Sequence, residues 1–458
     1  MKDDIHQLNE VFKRASHDLG VTLLPGEIAR LSTFIYQAMT GEGRYFHTTA
    51  HALNLCDLHD PIQSMAALFH DVVYFQVDRG FSDQVWETLK DYLLPRGKGN
   101  PVYTITGSVP GDDRGFHMVR ELFGWPAGQD VALNSGTNEL LSCLVMLRQL
   151  SANLTAPILL KISAYIETTI PFRPRDEKGI GPFERLQSRF IKVSHDFNLP
   201  MAEAEIEETM HGAVRFANRD VENFAGSDPA GFLETTWKLL PEAYPAIRIG
   251  CDYTYGEYRQ ALQGMVKFLH SIQAEHVYHD YAGIPDQQTM GMKLEQVRSN
   301  LQTSSRYIEV KLLTMAILET LAEISGGDAP VALFLGDIHN ESHTQQDISN
   351  QLPRDGREMV HRDVNPSIAQ LLHSGRRGLV DFTDLKTSPV ALFIYERSGE
   401  KLLSQYLQQA YLMFDNRLSA EEFLLGLEPA LLTNIVEACG KMASQRAGQL
   451  KSFARVIA

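Results

Sequence analysis

The chain has 458 residues, 44% hydrophobic and 22% charged. That is globular composition, which excludes a disordered, collagen-like or coiled-coil chain, and the length suggests about two or three domains. Acidic residues outnumber basic ones 57 to 42, for a formal charge of −15, a surface that repels phosphate backbones and anionic lipid, so neither nucleic acid nor membrane is an expected partner.

Helical periodicity dominates, and a mainly α fold is expected. Apolar residues recur at three- and four-residue steps over Glu27–Met39. Next comes Arg44-Tyr45-Phe46-His47-Thr48-Thr49-Ala50-His51, where His47 and His51 are four apart and would share one face of a helix. His59-Asp60 precedes a proline and reads as a loop. Met65–Val73 is an apolar run interrupted by His70-Asp71. A carboxylate in such a run would be buried, and an unpaired buried charge costs several kcal/mol, roughly. A divalent cation offsets that cost, and imidazole with carboxylate suits Zn, Mn or Fe, with Mg and Co less selectively held.

Pro95–Asn134 is turn-rich and reads as an insertion, about residues 95–134, in a helical core. Helices are expected again over Asn138–Leu150 and Ala156–Ile170, after which Arg173, Arg175 and Lys178 form a small basic cluster. His195-Asp196 repeats the dipeptide in a polar stretch and is expected at the surface. Within the expected helix Glu205–Phe224, Ala213, Ala217, Asp220, Val221 and Phe224 fall on one stripe, so Asp220 is a core-facing carboxylate in need of a partner.

A boundary is expected near Gly226-Ser227-Asp228-Pro229 and another near Gly326-Gly327. They divide the chain into residues 1–225, a helical extension 226–327 with helices at Tyr258–Ile272 and Val310–Ile324, and a mixed α/β part 328–458. In the last part Val331–Leu335 and Pro389–Tyr395 read as strands and Ala420–Cys439 as a helix. Leu335-Gly336-Asp337-Ile338-His339-Asn340 is similar to the first metal motif of calcineurin-like phosphoesterases, but the Gly-Asn-His segment that would complete it is missing. No 18-residue apolar run occurs, and Met-Lys-Asp-Asp-Ile-His carries no apolar signal core. Cys56, Cys143, Cys251 and Cys439 form no CxxC, so free thiols and a cytoplasmic protein are expected. There is no Walker loop, dinucleotide fingerprint or Gly-x-Ser-x-Gly elbow.

His51, His70-Asp71 and Asp220 resemble the H…HD…D signature of the HD-domain superfamily of metal-dependent phosphohydrolases. The aromatic-His-x-x-x-His and Phe-His-Asp-Val-Val-Tyr segments resemble a bacterial branch of predicted HD phosphohydrolases. The likeness covers about residues 20–225. It implies an HD-type helical core in which His51, His70, Asp71 and Asp220 bind a divalent metal (Mn, Fe, Zn, Mg or Co). His47 would act as general acid beside a catalytic Asp71, with Arg44, Arg173 and Arg175 as candidate clamps for substrate phosphate. The short interval from His51 to His70 demands a tight loop at Asp57–Pro61. The implied reaction is hydrolysis of a phosphate ester or anhydride in a nucleotide or small phosphorylated metabolite. Two alternatives remain open: a di-iron HD-type oxygenase drawing an extra ligand from His47, and a non-catalytic nucleotide-sensing regulator.

Overall fold

A computed structural model describes residues 2–457 apart from 97–101, 108, 110–112, 132–135, 249–251, 337–347, 354–359 and 377–387. The fold is mainly α, with one small three-stranded sheet among the described residues. Two compact units share the chain: residues 1–225 with 272–297, and residues 226–271 with 298–458. The second unit runs through the Gly326-Gly327 boundary expected from the sequence, so residues 328–458 do not stand apart.

In the first unit the elements are α1 (Lys2–Asp18), α2 (Pro25–Met39), α3 (Thr49–Leu55), α4 (Pro61–Phe69), α5 (Phe75–Asp78) and α6 (Asp83–Leu89). Strands β1 (Leu93–Arg96), β2 (Val102–Ile105) and β3 (Asp130–Val131) follow, with α7 (Arg114–Phe123) between β2 and β3. The unit continues with α8 (Thr137–Leu150), α9 (Ala156–Thr168), α10 (Pro182–Asp196) and α11 (Glu203–Asp220). The turn-rich insertion is thus an antiparallel meander plus a helix, with Leu93 opposite Ile105 and Tyr103 opposite Val131.

Helix starts follow from cap chemistry. Pro61 opens α4 behind Asp60, whose carboxylate accepts from the Gln63 N–H at 2.9 Å; proline loses nothing at this position because its missing N–H would be unpaired anyway. The required tight loop is present as a bridge between Asp57 and Asp60. Met65 to Phe69 are all fully buried, so α4 is the hydrophobic floor on which the His-Asp pair stands. Helix α9, buried on nearly every side, packs against α4, α8 and α11. Gly212 permits the close approach of α11: a Cβ there would lie 1.6 Å from the Tyr165 hydroxyl.

Residues 272–297 return to this unit and fasten the end of α11. Asn218 donates to the His279 carbonyl at 2.8 Å and accepts from its N–H at 3.0 Å. The Tyr278 hydroxyl donates to the Val221 carbonyl at 3.1 Å.

The second unit is helical, and both expected strands are corrected. Val331–Leu335 contributes to α12 (Ala332–Leu335), and Pro389–Tyr395 opens α13 (Pro389–Phe414). A short apolar run does not distinguish a strand from a buried helix turn, and Ser388-Pro389 is a helix start with proline at N1. The expected helix Ala420–Cys439 is two, α14 (Ala420–Leu425) and α15 (Pro429–Met442), because Pro429 restarts the helix behind the capping Glu428. So the described part of residues 328–458 is helical rather than mixed. The Asp337-Ile338-His339-Asn340 motif lies outside the described residues.

Candidate metal centre

Four expected ligands converge from three chain segments. His51 projects from α3, His70 is the last residue held by α4, Asp71 lies in the turn just beyond it, and Asp220 closes α11. The helix therefore stops at the His-Asp pair instead of passing through it, which frees the two side chains from the ~100° splay of adjacent helical residues. His51 Nε2 lies 3.1 Å from Asp220 Oδ1 and 3.6 Å from Asp71 Oδ2. His70 Nε2 lies 2.9 Å from Asp71 Oδ2 and 3.7 Å from Asp220 Oδ1. One ligand atom each from His51, His70 and Asp220 falls within 4.8 Å of the others. Donors that bind one cation at ~2.0–2.2 Å sit roughly 3–4 Å apart, so His51, His70 and Asp220 could share an ion; Asp71, in contact with both histidines, stands beside that group.

The tautomer of His70 sharpens the fit. Its side chain is 1% exposed, and Nδ1 donates to the Ala67 carbonyl at 2.8 Å. Among the described residues Nε2 makes no hydrogen bond of good geometry, although two carboxylates face it. A neutral ring so anchored turns a lone pair toward anionic oxygens. A second ring proton relieves that conflict for His70; a cation relieves it for both carboxylates and both imidazoles together. Burial works against charge on His70, yet Asp71 and Asp220 outweigh it and raise the ring's pKa well above the usual value. Burial would likewise raise Asp71, but His70, His47 and His51 hold it well below the ordinary carboxylate range. Asp220, buried too, is drawn down to about 2 by the neighbouring His51 and His70.

The other expected residues divide. His47 precedes α3 rather than sharing a helical face with His51. Its ring centroid is 6.2 Å from that of His51 and 4.3 Å from that of Tyr74, and its charge acts on Asp71. Arg44 is a brace, not an open clamp. Its guanidinium bonds Asp78 at 2.8 and 2.6 Å and the carbonyls of His47, Asp71 and Val72 at 3.3, 2.6 and 3.2 Å. All five donors are spent on holding the backbone of the His47 and Asp71 turns. Arg173 pairs with the buried Glu167 through Nη1 at 2.7 Å, while its Nε and Nη2 are buried without a hydrogen-bond partner among the described residues. Arg175 is 54% exposed and reaches Gly179 and Asp280; it is not drawn into the cluster.

Sequence reasoning missed Glu139. Burial pushes its carboxyl up to about 7, Asp71 adds to the rise, and Arg173 and His70 oppose it. Glu139 thus lies in the field of both the His70-Asp71 pair and Arg173. Its neighbours on α8 hold the segment after Asp71: Ser142 accepts from the Val73 N–H at 3.0 Å, and Asn138 from the Phe75 N–H at 3.1 Å. The available signal was an acidic residue among apolar ones, Asn138-Glu139-Leu140-Leu141, which a helix N-terminus explains equally well.

Compared with protein-family models, curated proteins and solved structures, the chain matches none.

Proposed function

We propose that this protein is a metal-dependent phosphohydrolase of HD type acting on a small phosphorylated substrate such as a nucleotide. The carrying observation is the convergence of His51, His70, Asp71 and Asp220 around the unbonded Nε2 of His70. These four would hold one divalent cation, which supplies a water of lowered pKa and polarises a phosphoryl oxygen.

This chain's own residues provide the rest. Asp71 and Asp220 stay ionised, as ligands must be. His47, beside Tyr74 and within the field of Asp71, would give a proton to a leaving oxygen. Arg173, whose Nε and Nη2 are buried without a hydrogen-bond partner among the described residues, would take a phosphate oxygen only after turning them outward.

Protein loaded with Mn, Fe or Zn should release phosphate from a panel of nucleotides and sugar phosphates, and chelation or His70→Ala should abolish release. A panel without turnover, on protein confirmed to contain stoichiometric metal, overturns the catalytic reading.

A further inference from the structure

A cavity of about 220 Å³ lies in the first unit, between α7, the end of α8, the start of α9 and the segment after α10. It is separate from the His-Asp cluster. Asn138, which holds the segment after Asp71, begins α8, whereas the cavity takes Leu147 and Arg148 near its end. At 1.5 Å per residue the two places are roughly 14 Å apart along the helix.

The inner lining is apolar. Met118, Leu147, Leu154, Leu159 and Leu199 are none of them more than 8% exposed. Phe197, half-buried, and Tyr92, wholly buried, add two rings. Gly115 lets α7 approach α8, since a Cβ there would come within 3.0 Å of Leu147 Cδ1. The inner polar atoms are already matched: the Tyr92 hydroxyl donates to Asp113 Oδ2 at 2.7 Å, and Asp113 Oδ1 accepts from the Phe116 N–H at 3.1 Å. Burial and Asp113 both raise the Tyr92 pKa, so the phenol stays the donor.

Two guanidiniums stand on the exposed side of the lining. Arg114 Cζ lies 5.7 Å from the Phe197 ring centroid, and its Nη2 donates to the Phe197 carbonyl; among the described residues it forms no ion pair. Arg148 lies 5.1 Å from the Tyr92 ring centroid, pairs with Asp91 through Nη2, and is 40% exposed. Its Nη1 stays 3.9 Å from Asp113, beyond hydrogen-bond range. An apolar cavity of about 150 Å³ takes a benzene ring, so this one admits a ring with a short charged arm. Aliphatic side chains, a thioether and a phenyl wall suit the ring, and guanidinium forks suit a carboxylate.

We propose that this cavity is a binding site for a small aryl carboxylate, with the ring against Met118, Leu159 and Phe197 and the carboxylate at Arg114 and Arg148. The assignment does not depend on any reaction at His51, His70, Asp71 and Asp220.

Calorimetric titration of the full-length protein with phenylacetate, 2-phenylethanol and acetate tests it. Phenylacetate should bind saturably at one molecule per chain. The neutral 2-phenylethanol should bind about tenfold more weakly, and acetate, which lacks the ring, should show no saturation. Arg114→Gln should lower phenylacetate affinity about tenfold and leave 2-phenylethanol unchanged. Ala156→Trp, at an exposed lining position that opens α9, should fill the cavity and abolish binding of both. His70→Ala should change neither. Absence of phenylacetate saturation by about 10 mM, equal affinity for the charged and neutral probes, or binding that survives Ala156→Trp overturns the site. Loss of phenylacetate binding in His70→Ala would put the carboxylate at the metal cluster and overturns it too.

Discussion

Two His-Asp dipeptides of this chain make nearly the same internal contact and stand in opposite surroundings. His70 and Asp71 approach at 2.9 Å with side chains 1% and 15% exposed; His195 and Asp196 approach at 3.0 Å with side chains 88% and 41% exposed. The first pair stands on the wholly buried end of α4 and faces His51 and Asp220. The second ends α10 in water, where Asp196 also takes Lys192 at 2.8 Å. His17-Asp18 at the end of α1 repeats the exposed version. A contact of nearly the same length thus sits in a buried cluster of histidines and carboxylates in one place and at a solvated helix end in the others. What separates them is the cost of the charge: water screens it at position 196, and only protons or a cation can balance it at position 71.

The largest expected effect breaks that pair of cases apart. His70→Ala should weaken metal binding by more than ~100-fold, beyond the range for loss of a mere supporting partner of a ligand. His195→Ala should leave metal content unchanged by elemental analysis. Equal metal loss in both variants would show that burial is not the deciding variable.

Metal addition gives the next effect. A cation present at about 1,000 times its dissociation constant stabilises the folded protein by roughly 4 kcal/mol. Melting temperature should therefore rise with added Mn in the wild type and in His195→Ala, and stay flat in His70→Ala. A rise of equal size in all three would place the bound ion elsewhere.

Glu139 gives a pH signature. Its carboxyl is raised from 4.5 to about 7 in the folded state, so the fold holds that proton more tightly than the unfolded chain does. Its stabilising effect is complete below pH 4.5 and is lost as pH rises through about 7, by up to ~3 kcal/mol. Urea unfolding of metal-free protein across that window should show the decline, and Glu139→Gln should remove it. An unchanged slope in the variant would take Glu139 out of the cluster's field.

The smallest effect concerns a further dipeptide, His59-Asp60. Asp60 caps α4 at the Gln63 N–H and accepts from the Tyr165 hydroxyl at 3.0 Å. Asp60→Ala should cost about 1–2 kcal/mol in denaturant unfolding without altering metal content. A loss of metal would mean that the start of α4 also sets the position of His70.

Much of the site was legible because its signals are local. His70-Asp71 stands out inside an apolar run, and Asp220 on an apolar stripe, so composition alone marks them as costly. Glu139 and Arg44 were not legible in this way. Glu139 becomes buried only because α8 lies against the segment after Asp71, which comes from 63 to 69 residues earlier in the chain. Arg44 sits beside the histidines in sequence and reads as a clamp; its five bonds depend on where Asp78 and the Asp71 turn fall in space. The helical class followed from periodicity, whereas Val331–Leu335 and Pro389–Tyr395 were too short and too uniformly apolar for periodicity to decide.

The central claim is that one divalent cation is gripped jointly by His51, His70, Asp71 and Asp220. Anomalous diffraction from crystals of the Mn-loaded protein tests it most directly. The account predicts a single strong peak about 2.0–2.3 Å from a nitrogen of each histidine and an oxygen of each carboxylate. A peak that touches neither His70 nor Asp220, or a density map in which His70 Nε2 donates to Asp71 with no ion between the four side chains, contradicts it.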